Sequence, residues 1–391
     1  MFWLHFWEDI VAHFICLWFK SFWQQPKKYI YIYFTTKRKA QKETRRYHSK
    51  LKPVHVILSF CFAYSTAMET TNCSVVDQLT RYYLPISYGA IFIVGLVGNV
   101  TSIAIYVTKL RPWRSSSIIM VNLALTDLLY VLSMPFLVHY YSTGNWPLGD
   151  FMCRFVRSGF HLNLYGSVLF LTCHALFRYV IVAKPMRVAR VQRKIWGVVA
   201  CAAVWFVAAA EIGPMFSVIS LYRPDNETLC LDFASTKPVG DVCWYSRLLT
   251  AFGFLLPLVV VSLCYIGIVR ALAKGPYTSS PTRARARRVT VLILVVFVVC
   301  FLPYHVLRVW WIETRHGAGD GDCAVRAAYI VSRPLAALNT FFNLAMYTLS
   351  GDQFRKAFLR TFYWDYGVTK AKVLIQVAVI DRARRSDAPA A

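Results

Sequence analysis

Residues 116–140 read SSIIMVNLALTDLLYVLSMPFLVHY, a run whose one ionisable acid is Asp127 and which holds no lysine or arginine. As a helix rising ~1.5 Å per residue it reaches about 37 Å, further than the ~30 Å hydrocarbon core of a bilayer. Backbone polar groups in lipid have no water to bond, so a spanning run of this kind has to be helical. This stretch decides the fold, because six further runs of the same kind surround it.

Working outward, the runs fall at about 82–107, 116–140, 151–182, 196–219, 246–269, 289–311 and 327–349. Apolar residues make up 57% of the 391-residue chain, and charged residues only 16%, against roughly 25% in soluble domains. The expected fold class is an all-α membrane protein, a seven-transmembrane helix bundle. After the last run, Phe354, Phe358 and Phe362 recur every fourth residue among Arg355, Lys356 and Arg360, the pattern of a short amphipathic eighth helix on a membrane surface.

The net charge of +25 could point to nucleic acid, but it sits in short blocks between the apolar runs. One set of connections carries Lys109, Arg111, Arg114, Lys184, Arg187, Arg190, Arg193, Lys194, Arg270, Lys274, Arg283, Arg285, Arg287 and Arg288. The alternate set is mixed, with Asp150, Asp225, Glu227, Asp232, Asp241, Glu313, Asp320 and Asp322. The basic side is expected to be cytoplasmic, held against anionic lipid, with the N-terminus outside and the C-terminus inside. The implied partner is the bilayer of the plasma membrane and not nucleic acid. Four of the eleven cysteines, Cys73, Cys153, Cys230 and Cys323, then fall on the oxidising side, an even number that suits two disulfides. Asn72-Cys73-Ser74 and Asn226-Glu227-Thr228 are glycosylation sequons on that side.

The expected organisation starts with an atypical aromatic and basic extension, residues 1–67, read as an extended or mistaken start and given no function. An extracellular tail follows at 68–81, the seven-transmembrane domain at 82–350, the amphipathic helix at 351–362 and a disordered cytoplasmic tail at 363–391. No nucleophile has a base in reach, no metal-ligand cluster or glycine-rich phosphate loop is present, and no cofactor is implied, so the chain is not expected to be an enzyme. A transporter or channel needs a polar path across the membrane, and the inner halves of the fifth and sixth runs are nearly all apolar.

Ionisable groups at membrane depth are costly and each needs a reason. Asp127 is either a buried acid paired with amides such as Asn99 and Asn343, or a cation-coupled switch. Arg178, in Phe177-Arg178-Tyr179, would by itself be read as snorkelling to the interface. The motifs gain meaning together. Gly98-Asn99, Leu123-Ala124-Leu125-Thr126-Asp127, Cys153, Phe177-Arg178-Tyr179, Trp205, Pro257 with Tyr265, Cys300-Phe301-Leu302-Pro303-Tyr304, and Asn343 with Tyr347 occur in one order and spacing. In this the chain resembles the rhodopsin-like G-protein-coupled receptors across residues 80–362. The resemblance implies a heterotrimeric G-protein partner and an activation switch at Asp127, Arg178, Tyr179, Phe301, Pro303, Asn343 and Tyr347. It also implies disulfides Cys153–Cys230 and Cys73–Cys323. Two departures stand out: Phe177 replaces the family's usual acid before the arginine, and Leu344 replaces the proline after Asn343, so the helix-seven kink is expected to be weaker or made differently.

The outer halves of the third, sixth and seventh runs carry an excess of cations. Arg157, His161 and Tyr165, four apart, share one face of their helix. His305 and Arg308 share another, and Arg333 lies in the seventh. Acids at that depth are few, Glu211 the clearest. Each Arg at membrane depth costs about 2.5–3.5 kcal/mol on the insertion scale, and a bound anion compensates. A guanidinium meets a carboxylate in a planar two-point fork. The expectation is therefore an uncompensated cluster for a small anionic ligand, with Arg157 and either Arg308 or Arg333 at opposite ends. His161 and His305 would donate further bonds, and Tyr140, Tyr141, Tyr165 and Tyr329 would form rims.

His-x-x-Arg in the sixth run with Arg in the seventh resembles the purinergic-type branch. Ile118-Ile119-Met120, Asp150-Phe151-Met152-Cys153 and the stretch from Tyr329 to Thr340 are similar to the 2-oxoglutarate-receptor group of that branch. That resemblance implies a dicarboxylate ligand and coupling to a Gq-type G protein. The residues themselves say only "small anion", so nucleotides, succinate and anionic lipid mediators such as a cysteinyl leukotriene also fit.

Overall fold

The computed structural model describes residues 74–223, 227–233, 239–274, 281–316, 323–350 and 353–360. The expected extension at 1–67, Cys73, the sequons at Asn72 and Asn226, and the tail at 363–391 lie outside them.

Six helices are long and apolar enough to cross a membrane: α1 (Ser74–Thr108), α2 (Ser115–Thr143), α3 (Gly149–Ala183), α4 (Lys194–Val218), α5 (Gly240–Leu272) and α6 (Ala286–Thr314). The seventh span is divided into α7 (Cys323–Ala337) and α8 (Asn339–Ser350). Each helix covers nearly all of its apolar run, and most extend beyond it. Many large apolar side chains face outward, among them Ile93, Val97, Phe206, Phe252 and Leu263. For a bundle in lipid this is the expected sign, since the surrounding solvent is as apolar as the core.

Prolines shape three helices. Pro85, Pro257 and Pro303 each lack an N–H and press their ring on the carbonyl four residues back. In each case a wider, π-type turn ends two residues before the proline, at Leu79–Tyr83, Ala251–Leu255 and Phe297–Phe301. The extra residue absorbs the clash without ending the helix. The seventh span breaks instead at Leu338. Its N–H reaches the carbonyls of Pro334 and Leu335 at 3.0 and 3.2 Å, and the chain restarts as α8. The kink exists without a proline at Leu344 and lies six residues earlier in the chain.

α3 runs through the centre, burying residues along its whole length from Cys153 to Val182. Strands β1 (Ser220–Tyr222) and β2 (Leu229–Leu231) form an antiparallel hairpin across one end of the bundle, pairing Leu221 with Cys230. A Cys153–Cys230 disulfide fastens the hairpin to the start of α3, with Cα atoms 5.6 Å apart. Trp146 adds a second tie, its backbone N–H donating to the Thr228 carbonyl at 2.8 Å. Cys323 is also disulfide-bonded. Residues 353–360 are helical, and Phe354 is buried against Tyr106 and Tyr347.

Candidate functional site

Beneath the hairpin, the expected ligand residues meet. Tyr140, Arg157, His161, Tyr165, His305, Arg308 and Arg333 are all buried, and come from α2, α3, α6 and α7. The expectation that the arginines are uncompensated needs correcting. Asp232, two residues beyond the disulfide at Cys230, turns inward and lies 2.5 Å from Arg333 and 3.7 Å from Arg157. The strand pairing and the disulfide fix its place. From the sequence, Asp232 reads as one more loop acid and Glu211 as the acid at depth. Glu211 forms no ion pair with these arginines among the described residues; its carbonyl accepts the Tyr245 hydroxyl at 2.6 Å.

The cluster has two halves. In the first, Tyr141 Oη accepts from Arg157 Nη1 at 2.6 Å and from Arg333 Nη1 at 3.1 Å, bridging α3 and α7. Arg157 Nη2 also donates to the Cys230 carbonyl at 2.9 Å. Tyr140, expected at a rim, contributes its ring face to Arg157, 5.4 Å away. Arg157 and Arg333 therefore serve one end together and do not oppose each other. Burial by itself would raise the Asp232 carboxyl, but the neighbouring Arg333 and Arg157 hold it well below the usual carboxylate range.

In the second half, Arg308 is fully buried and has no carboxylate among the described residues. Its Nη1 donates to Tyr165 Oη at 2.5 Å, and Nη2 donates to Thr250 Oγ1 at 2.9 Å and the Ser246 carbonyl at 3.2 Å. His305 lies beside it, its ring stacked on Phe254 at 4.4 Å. Gly253 makes this half possible: a Cβ there would fall 2.6 Å from the Tyr165 ring. Phe233, adjacent to Asp232 in the chain, sits between the halves, 4.9 Å from the Arg308 guanidinium and edge-on to His161. Asp232, Phe233, Thr250 and Ser246 thus complete a site that spacing could not reveal, since each acts through a contact far away in the chain; Tyr141, expected at a rim, instead bridges Arg157 and Arg333 through its hydroxyl.

Among the described residues, three guanidiniums less one carboxylate leave a formal +2. Several polar atoms are also unused: the Nε donors of Arg157, Arg308 and Arg333, both ring nitrogens of His161 and Nε2 of His305 are buried without a hydrogen-bond partner among the described residues. Buried polar groups are normally satisfied, so a cluster of this size is the mark of a polar ligand or water site.

Deeper in the bundle, Asp127 accepts from Asn163 at 2.8 Å, Thr340 at 3.2 Å and Asn343 at 2.8 Å. Asn99, expected as a partner, donates instead to the Gly95 carbonyl. Towards the basic end, Arg178 Nε donates to His174 Nε2 at 3.2 Å, the acid of the usual motif being absent. Phe301 and Tyr347 are fully buried, and Pro303 follows the wide turn of α6. Gly267 lies under the ring of Tyr179.

The chain matches the 7 transmembrane receptor (rhodopsin family) over residues 98–347. It is 50% identical over 303 residues to the 2-oxoglutarate receptor 1 of Rattus norvegicus, covering 75% of this chain and 88% of the relative. It is 36% identical over 282 residues to the succinate receptor 1 of Rattus norvegicus, covering 71% and 89%. To a purinoceptor of Gallus gallus it is 37% identical over 299 residues, covering 74% and 83%. These relatives are receptors, not enzymes.

Proposed function

Because the chain belongs to the rhodopsin family of seven-transmembrane receptors, we propose that it is a G-protein-coupled receptor for a small dicarboxylate, 2-oxoglutarate first among them. The observation that carries this is the buried +2 imbalance of Arg157, Arg308 and Arg333 against Asp232, with its unused donors. A dianion supplies the missing charge. One carboxylate joins Asp232 on the Arg157, Tyr141 and Arg333 side, and the other takes Arg308 in place of, or beside, Tyr165. His161 donates between them. Phe233, packed against His161 and Arg308, has to shift to admit the ligand.

The hairpin end then faces the outside of the plasma membrane and the basic end the cytoplasm, as the arginine-rich connections require. Residues 353–360 lie on the inner face, Phe354 inward. Ligand shifts the equilibrium only by binding the active arrangement better. Drawing α3, α6 and α7 together at the outer end swings the inner end of α6 about Pro303 and opens Arg178 and Tyr179 to a G protein of the Gq type. The relatives named for succinate and for purines make succinate and nucleotides the second reading.

The test is a dose-response screen of 2-oxoglutarate, succinate, itaconate, a nucleotide and a cysteinyl leukotriene on cells expressing the chain. Arg308→Ala is expected to abolish the dicarboxylate response at unchanged surface expression, and Arg308→Lys to restore little, since lysine lacks the planar fork. A normal dose response in Arg308→Ala refutes the site.

A further inference from the structure

At the end of the bundle opposite the hairpin, a groove of about 450 Å³ is lined by Arg190, Arg193, Ile195, Trp196 and Val199. Its two walls differ in chemistry. Ile195, Trp196 and Val199 are 59%, 47% and 51% exposed and lie on the side of α4 that faces away from the bundle. Arg190 and Arg193 are exposed at the start of α4, with Lys194 beside them. None of the three has an ion-pair or hydrogen-bond partner for its side chain among the described residues, and the connections 109–114 and 184–193 contain no Asp or Glu.

The local field is more positive than the side chains alone make it. α2 and α4 both begin at this end, at Ser115 and Lys194, and neither has a side-chain cap. Gly197 lets them meet: a Cβ there would fall 2.7 Å from Ser115 Cα. The Ser115 N–H reaches the Gln192 carbonyl at 3.4 Å, locking the two starts together. Two helix N-termini, each carrying about half a positive charge, are thus held next to the arginines.

We propose that this groove binds an anionic phospholipid of the inner leaflet, its headgroup phosphate on Arg190 and Arg193 and an acyl chain along Ile195, Trp196 and Val199. Charge complementarity selects the headgroup, and the exposed apolar wall, which in water would be a liability, selects a lipid over a soluble phosphate. The site rests on the orientation given above, with the basic end cytoplasmic, and is independent of the dicarboxylate cluster. Its occupancy would steady the start of α4 against α2.

The experiment is native mass spectrometry of the full chain in detergent, titrated with phosphatidylinositol 4,5-bisphosphate, phosphatidylserine or phosphatidylcholine, with inositol trisphosphate as the soluble arm. Wild type is expected to retain the two anionic lipids over phosphatidylcholine. R190Q/R193Q is expected to weaken that retention roughly 30-fold, taking ~1 kcal/mol per cation at the membrane surface, while R190K/R193K keeps most of it. Trp196→Ser is expected to weaken lipid binding and leave inositol trisphosphate unaffected. Retention unchanged in R190Q/R193Q overturns the proposal. An equal loss in R287Q/R288Q, at the basic start of α6, also overturns it by showing diffuse attraction. So does inositol trisphosphate binding as tightly as the lipid. Because the readout is lipid mass on the protein, it stands or falls separately from any dicarboxylate response.

Discussion

Asp232→Asn isolates the charge that the structure adds to the cluster. The carboxylate lies 2.5 and 3.7 Å from two guanidiniums, with only 7% of its side chain exposed. Breaking a buried ion pair costs about 3–5 kcal/mol, chiefly because the partner charge is left uncompensated. Here asparagine keeps an acceptor oxygen, and Tyr141 and the Cys230 carbonyl still receive Arg157, so about 2 kcal/mol is the better figure. At about 2.1 cal/mol/K of unfolding entropy per residue, a chain of this size shifts by roughly 1–2 °C per kcal/mol, so the ligand-free melting midpoint of the purified receptor falls by roughly 2–4 °C. A dicarboxylate then replaces the lost charge and no longer shares the arginines with Asp232. The rise in midpoint on adding saturating 2-oxoglutarate is therefore larger in the variant than in wild type. The assay is a thermal-shift titration at fixed protein and salt. Equal ligand-free midpoints refute the reasoning. A ligand-induced rise that disappears refutes it too, because Asp232 would then be holding the ligand and not sharing its place. The pH dependence follows from sign. The folded carboxyl sits below its ordinary range, so the stabilisation is fully present above the unfolded value of about 3.9. It is lost only as pH falls through the lower folded value. The difference between wild type and Asp232→Asn stays flat from pH 8 to 6; a difference that vanishes in that window assigns the titration to another group.

Thr250→Val removes one acceptor from Arg308 but leaves the Ser246 carbonyl. About 1.5 kcal/mol is expected, the low end for a bond to a charged group, or roughly tenfold in dicarboxylate potency; unchanged potency would show that Tyr165 and the Ser246 carbonyl position Arg308 without the threonine hydroxyl. His174→Leu frees Arg178 from its α3 partner and is expected to raise agonist-independent signalling severalfold, measured as basal inositol phosphate at matched surface expression. Basal output no higher than wild type would place the restraint elsewhere. Removing residues 1–67 is expected to leave dose response and surface expression unaltered; loss of either assigns that segment a function.

Chemistry local in the chain was legible without coordinates. Seven apolar runs, their length and the alternation of basic and mixed connections determine a membrane helix bundle, because lipid admits only backbone bonded within each segment. The one-face spacing of Arg157, His161 and Tyr165, and of His305 and Arg308, places cations in a common interior. What the sequence leaves open is which charges meet. Arg157 and Arg333 share Asp232, and Arg333 does so across 101 positions of chain. That contact exists because the Cys153–Cys230 disulfide and the Leu221–Cys230 pairing carry the hairpin back over the bundle. Asp127 likewise takes Asn163 and Thr340 and leaves Asn99 to its own helix, and the seventh span breaks at Leu338, not near Asn343. Helix periodicity sets the face on which a side chain stands; only packing between helices, and a loop folded across them, sets which charge it confronts.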